Sequence, residues 1–283
     1  MVKTILAIAA AAFVAAGSPV NYNFSGNSSG NFSVEAYVTA EENKAENDLT
    51  DEELNALDNE CLGYGQGHEC DDKNRPVCAA NFNALYNLYD GYAMLNSDKE
   101  IYLTFDQGYE NGYTAPILDT LKEKNAKAIF FLTGDYARRN PELVKRMIDE
   151  GHIIGNHGLD HAALPKLSIS EAETEITELH KFVADKYGYE MTYFRPPCGE
   201  YSERAIALTQ RLGYKTFLWS FAYCDWDVND QPNAQAAFDR ITGAAHGGEI
   251  ILLHSVSRTN SEILGNVIDN FRDQGYEIAL PSE

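Results

Sequence analysis

From residue 99 onward, short apolar runs alternate with amphipathic stretches, and this alternation limits the fold more than any other feature of the chain. IYLTF, AIFFLTG, HIIGNHG, MTYFRPP, KTFLWSFA, EIILLHS and YEIAL read as seven strands. Between them lie APILDTLKEKN, PELVKRMIDEG, SEAETEITELHKFVADKYG, SERAIALTQRLG, NAQAAFDRITGAA and NSEILGNVIDNFRDQG, with apolar residues at helical spacing. Helix punctuation agrees: Pro141 opens one helix and Gly151 closes it, and Ser170 and Ser202 are the expected N-caps of two others. Apolar strands joined through helices pair in parallel and are covered on their outer face. No GxGxxG or GxxxxGK[ST] follows the first strand, so a nucleotide-binding sheet has no support. The expected architecture is α/β: a distorted, incomplete (β/α)7 TIM-like barrel over residues 99–283, behind an N-terminal extension.

The first 98 residues read differently. MVKTILAIAAAAFVAAGS has one lysine, twelve apolar residues and then small ones, the layout of a signal peptide over residues 1–18. Twelve residues are too few to span a bilayer, which needs about 20, so no stable membrane insertion is expected after cleavage. Residues 19–60 hold ten acids and one lysine between Glu35 and Glu60 and are expected to form a disordered acidic spacer. In residues 61–98, Leu85, Leu88, Tyr89 and Tyr92 fall at helical spacing, predicting a helical extension packed on the barrel. Cys61, Cys70 and Cys78 lie near His68 without a CxxC pair, so a local disulfide or buried thiols are favoured over zinc. Five cysteines leave at least one thiol free or paired to another chain. A net charge of -21 excludes nucleic acid as the partner, since phosphate binding needs a basic face. The expected product is a secreted, monomeric protein of the cell envelope.

Ligands of parallel α/β folds bind at the carboxyl ends of the strands. Those ends deliver Asp106 and Gln107, then His157 with His161 four residues on, then Arg195, then Asp225 and Trp226, and finally His254. Taken singly, Asp106 reads as a turn former and His254 as a satisfied core histidine. Five ionisable strand ends on one rim read as a site.

The motifs TFDQG, HGLDH, RPPCG, CDW and LLH occur in that order, and the chain from about Lys99 resembles the polysaccharide deacetylases with a NodB homology domain. YLTFDQGYENGYT, GHIIGNH and LLHSVSRTN are most similar to the delta-lactam-biosynthetic, muramic acid branch, which acts on spore-cortex peptidoglycan. The resemblance implies hydrolysis of N-acetyl groups on a peptidoglycan glycan strand, with Asp106 as general base, His254 as general acid, Arg195 holding the base and Asp225 orienting the acid. It also implies a divalent metal, zinc or another, on His157 and His161. The family's third ligand is an acid where this chain has Gln107, and a neutral amide oxygen implies weak, exchangeable binding. Tyr109, Pro196, Trp226 and Leu252 are the implied substrate-binding residues, Trp226 and Leu252 walling the acetyl pocket. The family often places Ser or Thr between the histidines; Gly158 stands here, which predicts a looser loop. The oxyanion would be met by a backbone N–H near 193–195 or in the 107–109 turn. Two alternatives remain open: an enzyme for GlcNAc or chitin-type chains, and a non-catalytic glycan-binding protein of the same fold.

Overall fold

The computed structural model describes residues 20–26, 32–38 and 49–282. The expected signal peptide lies outside the described residues. Strands β1 (Val20–Gly26) and β2 (Phe32–Val38) pair antiparallel, Val20 opposite Val38. These strands correct the expected disorder; VNYNFSG and FSVEAYV each alternate with period two, a strand pattern that the acid count obscured. The end of the expected spacer is also ordered. Helix α1 (Asp51–Ala56) starts at a capping box formed by Thr50 and Glu53, and Leu54 is fully buried.

Residues 49–282 form the α/β body. The extension supplies β3 (Leu62–Gly63), helix α2 (Val77–Tyr86) and β4 (Gly91–Tyr92). Then follow β5 (Glu100–Gln107), α3 (Thr114–Glu123), β6 (Ala128–Leu132), α4 (Gly134–Arg139), α5 (Pro141–Asp149), β7 (Ile153–Asn156), α6 (Ile169–Tyr187) and β8 (Tyr193–Phe194). The last third holds β9 (Glu200–Tyr201), α7 (Glu203–Arg211), β10 (Lys215–Phe217), β11 (Phe221–Ala222), α8 (Ala234–Gly243), β12 (Glu249–His254), α9 (Arg258–Asp273) and β13 (Glu277–Ile278). A curled parallel sheet runs in the order β11-β12-β5-β6-β7-β8-β10-β4.

Strand parity divides the core in two. Leu103, Phe105, Phe130, Ile251 and Leu253 face the helices, whereas Tyr102, Ile129, Phe131, Ile250 and Leu252 fill the interior. Thr104 and Asp106 share the inward parity of Tyr102, which is why an apolar strand ends with its acid inside the barrel mouth.

Several expectations change in detail. The seventh strand does not extend the rim: β13 pairs only with the first residues of β5, Glu277 opposite Glu100 and Ile278 opposite Ile101. The fifth strand breaks into β10 and β11, which meet different neighbours. The extension is less helical than expected, because Tyr92 lies in β4 beside β10, and Leu85 and Leu88 point to solvent while Ala79 and Phe82 are buried. Its next residues reach the start of β12, where Leu95 N–H donates to the Gly248 carbonyl at 2.8 Å. Gly248 has φ +80, and a Cβ there would lie 1.9 Å from the Leu95 carbonyl oxygen, so only glycine fits this close approach. The cap of α6 is Ser168, in a capping box with Glu171, not Ser170; Ser202 does cap α7. All five cysteines are exposed and unpaired, against the expected disulfide or buried thiols. Among the described residues, no helix is long and apolar enough to cross a membrane.

Candidate active site

His254 and Asp106 are direct register partners on β12 and β5, so two residues 148 positions apart present side chains to the same face. Arg195 follows β8 and points into the barrel, where none of its surface is exposed. Its Nη1 donates to Asp106 Oδ1 at 2.8 Å and to Thr104 Oγ1 at 2.7 Å. Nε and Nη2 donate to the carbonyls of Phe217 and Leu218, each at 3.1 Å, and the guanidinium lies 4.2 Å from the Phe131 ring centroid. A charge buried this deeply needs such complete pairing. Burial works against the charged form of Asp106, but Arg195, then His157 and His254, outweigh it and hold the carboxyl below the usual carboxylate range.

His157 and His161 sit in the turn after β7. His157 Nδ1 is 2.8 Å from the Arg195 carbonyl. A carbonyl only accepts, so Nδ1 carries the proton and Nε2 presents its lone pair. That Nε2 lies 3.2 Å from His161 Nε2 and 3.5 Å from Asp106 Oδ2. Burial pushes His157 down to about 4 and also lowers His161, so both rings are neutral near pH 7.

The expected looseness of this turn is corrected by Glu175, a buried acid on α6. Its Oε1 accepts from the N–H groups of Asp160 at 2.8 Å and Ala162 at 3.0 Å, while its carbonyl accepts from Leu159. Gly158 has φ +83, and a Cβ there would lie 2.8 Å from Glu175 Oε1. The carboxylate occupies the place where a hydroxyl-bearing side chain would need room. Its sequence signal was an acid on the apolar stripe formed by Ala172, Ile176, Leu179 and Val183.

The opposite flank is built around Asp225, which is fully buried. Its Oδ1 lies 2.7 Å from His254 Nδ1, and its Oδ2 accepts from the His254 N–H at 2.8 Å and from Asn260 Nδ2 at 2.5 Å. Asn260 Oδ1 in turn accepts from the Tyr223 hydroxyl. Burial alone would lower His254; the hydrogen bond to Asp225 and that carboxylate's charge outweigh it and raise the imidazole above its ordinary value. Asn260 was not foreseen, because an amide in the first turn of a helix reads as capping.

A cavity of about 420 Å³ opens above these groups, lined by Asp106, Tyr109, His157, His161, Trp226 and His254 among others. Trp226 is 57% exposed at its edge, an aromatic face for a sugar ring. Leu252 is buried in the interior cluster and Pro196 lines a separate small cavity, so neither walls this one. The Arg195 side chain points to Asp106, and Pro196, the next residue of the extended backbone, lies instead with Phe194 in that separate cavity.

Residues 95–217 match the family described as polysaccharide deacetylase. The chain is 40% identical over 223 residues to the peptidoglycan-N-acetylmuramic acid deacetylase PdaA of Bacillus subtilis, covering 78% of this chain and 84% of that protein. The chain belongs to the polysaccharide deacetylase family. Its fold agrees with the solved structure of that Bacillus subtilis protein, a family 4 carbohydrate esterase, at a TM-score of 0.74 over 78% of this chain and 95% of that one. A peptidoglycan-N-acetylglucosamine deacetylase of Bacillus cereus is 33% identical over 200 residues, 69% of this chain and 92% of that protein. The chain is therefore a carbohydrate de-N-acetylase by family.

Deacetylases of this family are generally metal-dependent. Among the described residues, no group of three or more His, Cys, Asp or Glu side chains is gathered to hold a metal. The cleft does offer two imidazole nitrogens 3.2 Å apart, one with its lone pair fixed outward. That separation suits two nitrogens sharing one ion at about 2.0–2.1 Å each. At the third family position, the Gln107 amide nitrogen donates to Ser255 Oγ, and Oε1 is buried without a partner. The donor set fits a divalent ion held by two histidines; Gln107, bonded to Ser255, is not among the residues that line the cavity.

Proposed function

We propose that this protein removes the N-acetyl group from muramic acid residues of peptidoglycan, as a secreted or envelope enzyme of delta-lactam formation in spore cortex. The observation that carries this reading is the pairing of Asp106 and His254 across one cavity, each fixed by its own buried partner, Arg195 and Asp225. A glycan-binding protein would have no use for an ionised carboxylate opposite an imidazole biased toward its protonated form. Preference for MurNAc over GlcNAc follows the identity to the Bacillus subtilis enzyme.

In the proposed reaction, Asp106 takes a proton from a water in the cavity, and the oxygen attacks the acetyl carbonyl carbon. Charge develops on the carbonyl oxygen. The Arg195 N–H is engaged with the Asn156 carbonyl at 2.9 Å, so the donor for that charge is sought in the 107–109 turn, where Gly108 and Tyr109 line the cavity. His254, which Asp225 biases toward its protonated form, gives its proton to the amide nitrogen as the C–N bond breaks. Acetate and a free amine result. A divalent ion on His157 and His161 would supply Lewis-acid polarisation of the carbonyl. Trp226 and Tyr109 flank the sugar.

Mass spectrometry of denuded glycan and of intact peptidoglycan, incubated with the protein, tests the reading. Acetate should be released and a muramic residue should lose one acetyl group. Asp106→Asn should reduce the rate about 10²–10⁴-fold. Equal acetate from both proteins would reject catalysis by this site.

A further inference from the structure

A second cavity of about 420 Å³ adjoins the first and shares Val228, Asn229 and Val256 with it. It continues past Asn111 and Gln231 to Arg258, the first residue of α9. Among the described residues, Arg258 is the only lysine or arginine lining either cavity. In a chain of net charge -21, a cation next to the reaction chamber stands out chemically. Its recorded ion pair is a loose one, Nε to Glu262 at 3.6 Å on an exposed helix face, which leaves the terminal nitrogens of the fork available. The groove around it is preformed. Asn111 Nδ2 donates to the Val256 carbonyl at 2.9 Å. Gln231 donates to the carbonyls of Asp225 and Asp227 and accepts from Ser257 Oγ at 2.7 Å.

N-acetylmuramic acid differs from N-acetylglucosamine by a lactyl ether on C3, the ring carbon next to the one that bears the acetamido group. An acetamido group above Asp106 and His254 therefore has the lactyl group beside it, within reach of a neighbouring cavity. We propose that this second groove is a subsite for the lactyl carboxylate, with Arg258 as its counter-ion. The inference rests on the proposed muramic acid reading and adds the means by which it is recognised. Asp230 also lines the groove and repels an anion, so Arg258 is the side chain there that can hold one. A free lactyl carboxylate is bound by this arrangement better than a neutral amide at the same position.

The test compares wild type, Arg258→Met and Arg258→Lys on two muramyl strands, one with the free lactyl carboxylate and one with it capped as a methylamide. The kcat/KM ratio of free to capped strand should fall about tenfold in Arg258→Met, chiefly through KM, with part of the loss restored in Arg258→Lys. An unchanged ratio overturns the subsite. Calorimetric affinity for the free-carboxylate strand, measured in Asp106→Asn with and without Arg258→Met, reads the same contact without turnover. If wild type releases acetate from chitin-type oligomers and none from muramyl strands, the proposed function fails. In that case equal affinities in the calorimetric pair overturn the subsite as well, and unequal affinities sustain it.

Discussion

The two flanks of the cleft both present histidine, and they do opposite things with it. On one side, His157 has a backbone carbonyl behind its Nδ1 and is held neutral by burial, with its lone pair facing the cleft. On the other, His254 has the Asp225 carboxylate behind its Nδ1 and is held toward the protonated form. Distance to the cavity does not separate them, since both line it. The partner on the far nitrogen does. In this cleft the carbonyl leaves His157 a lone pair to offer, and the carboxylate favours the proton that His254 can give.

The largest expected effect comes from erasing that difference. Asp225→Asn keeps a side chain of the same size and removes the charge that raises His254. The imidazole then loses its proton at lower pH, so the high-pH limb of the kcat profile should move downward. A group needed in its protonated form gives activity below its pKa, and lowering that pKa shortens the active range from the alkaline side. The rate at neutral pH should fall about 10²-fold, the lower end of general-acid contributions. A pH–rate profile whose alkaline limb stays in place would show that Asp225 does not set the proton on His254.

A smaller effect is expected on the imidazole flank. Gln107→Asp introduces a carboxylate where the structure has an amide whose oxygen lacks a partner. Divalent-ion affinity, measured by calorimetric titration, should rise about 10-fold. Unchanged affinity would remove position 107 from any ligand set and leave the two histidines alone.

Much of this was legible in the chain. The alternation of strand and helix specified the barrel, because period-two and period-3.6 patterns recur locally and need no tertiary information. The placement of the ionisable groups around the cleft was legible from the rule that rims of parallel sheets carry ligands. Asp106, Arg195, Asp225, His157, His161 and His254 all converge as that rule requires. What stayed hidden depends on long-range contact. β4 joins the sheet through β10, where Gly91 and Thr216, 125 positions apart, are register partners, and no local pattern in a two-residue strand reports that. Leu252 and Pro196 carried the right motifs, but the alternation of side chains along an extended backbone decided their direction. Glu175 and Asn260 escaped because their partners are backbone groups or residues on other elements.

Glu175 supplies the smallest and most discriminating prediction. Sequence reasoning held that Gly158 loosens the histidine turn by lacking a hydroxyl. The structure instead puts a carboxylate against the glycine, bridging two N–H groups of the turn. Gly158→Ser must adopt φ +83 with a side chain, and its Cβ meets that carboxylate at 2.8 Å. The left-handed conformation alone costs about 1–2 kcal/mol, and displacing Glu175 releases the two N–H groups. The variant should therefore lower the thermal midpoint, by roughly 2–4 °C for each kcal/mol in a domain of this size. It should also weaken divalent-ion binding, because His157 and His161 flank the disturbed residues. The acid flank provides the control: the alkaline limb set by Asp225 and His254 should not move. A more stable Gly158→Ser protein would mean that the hydroxyl braces the turn after all, and that Glu175 yields its place at little cost.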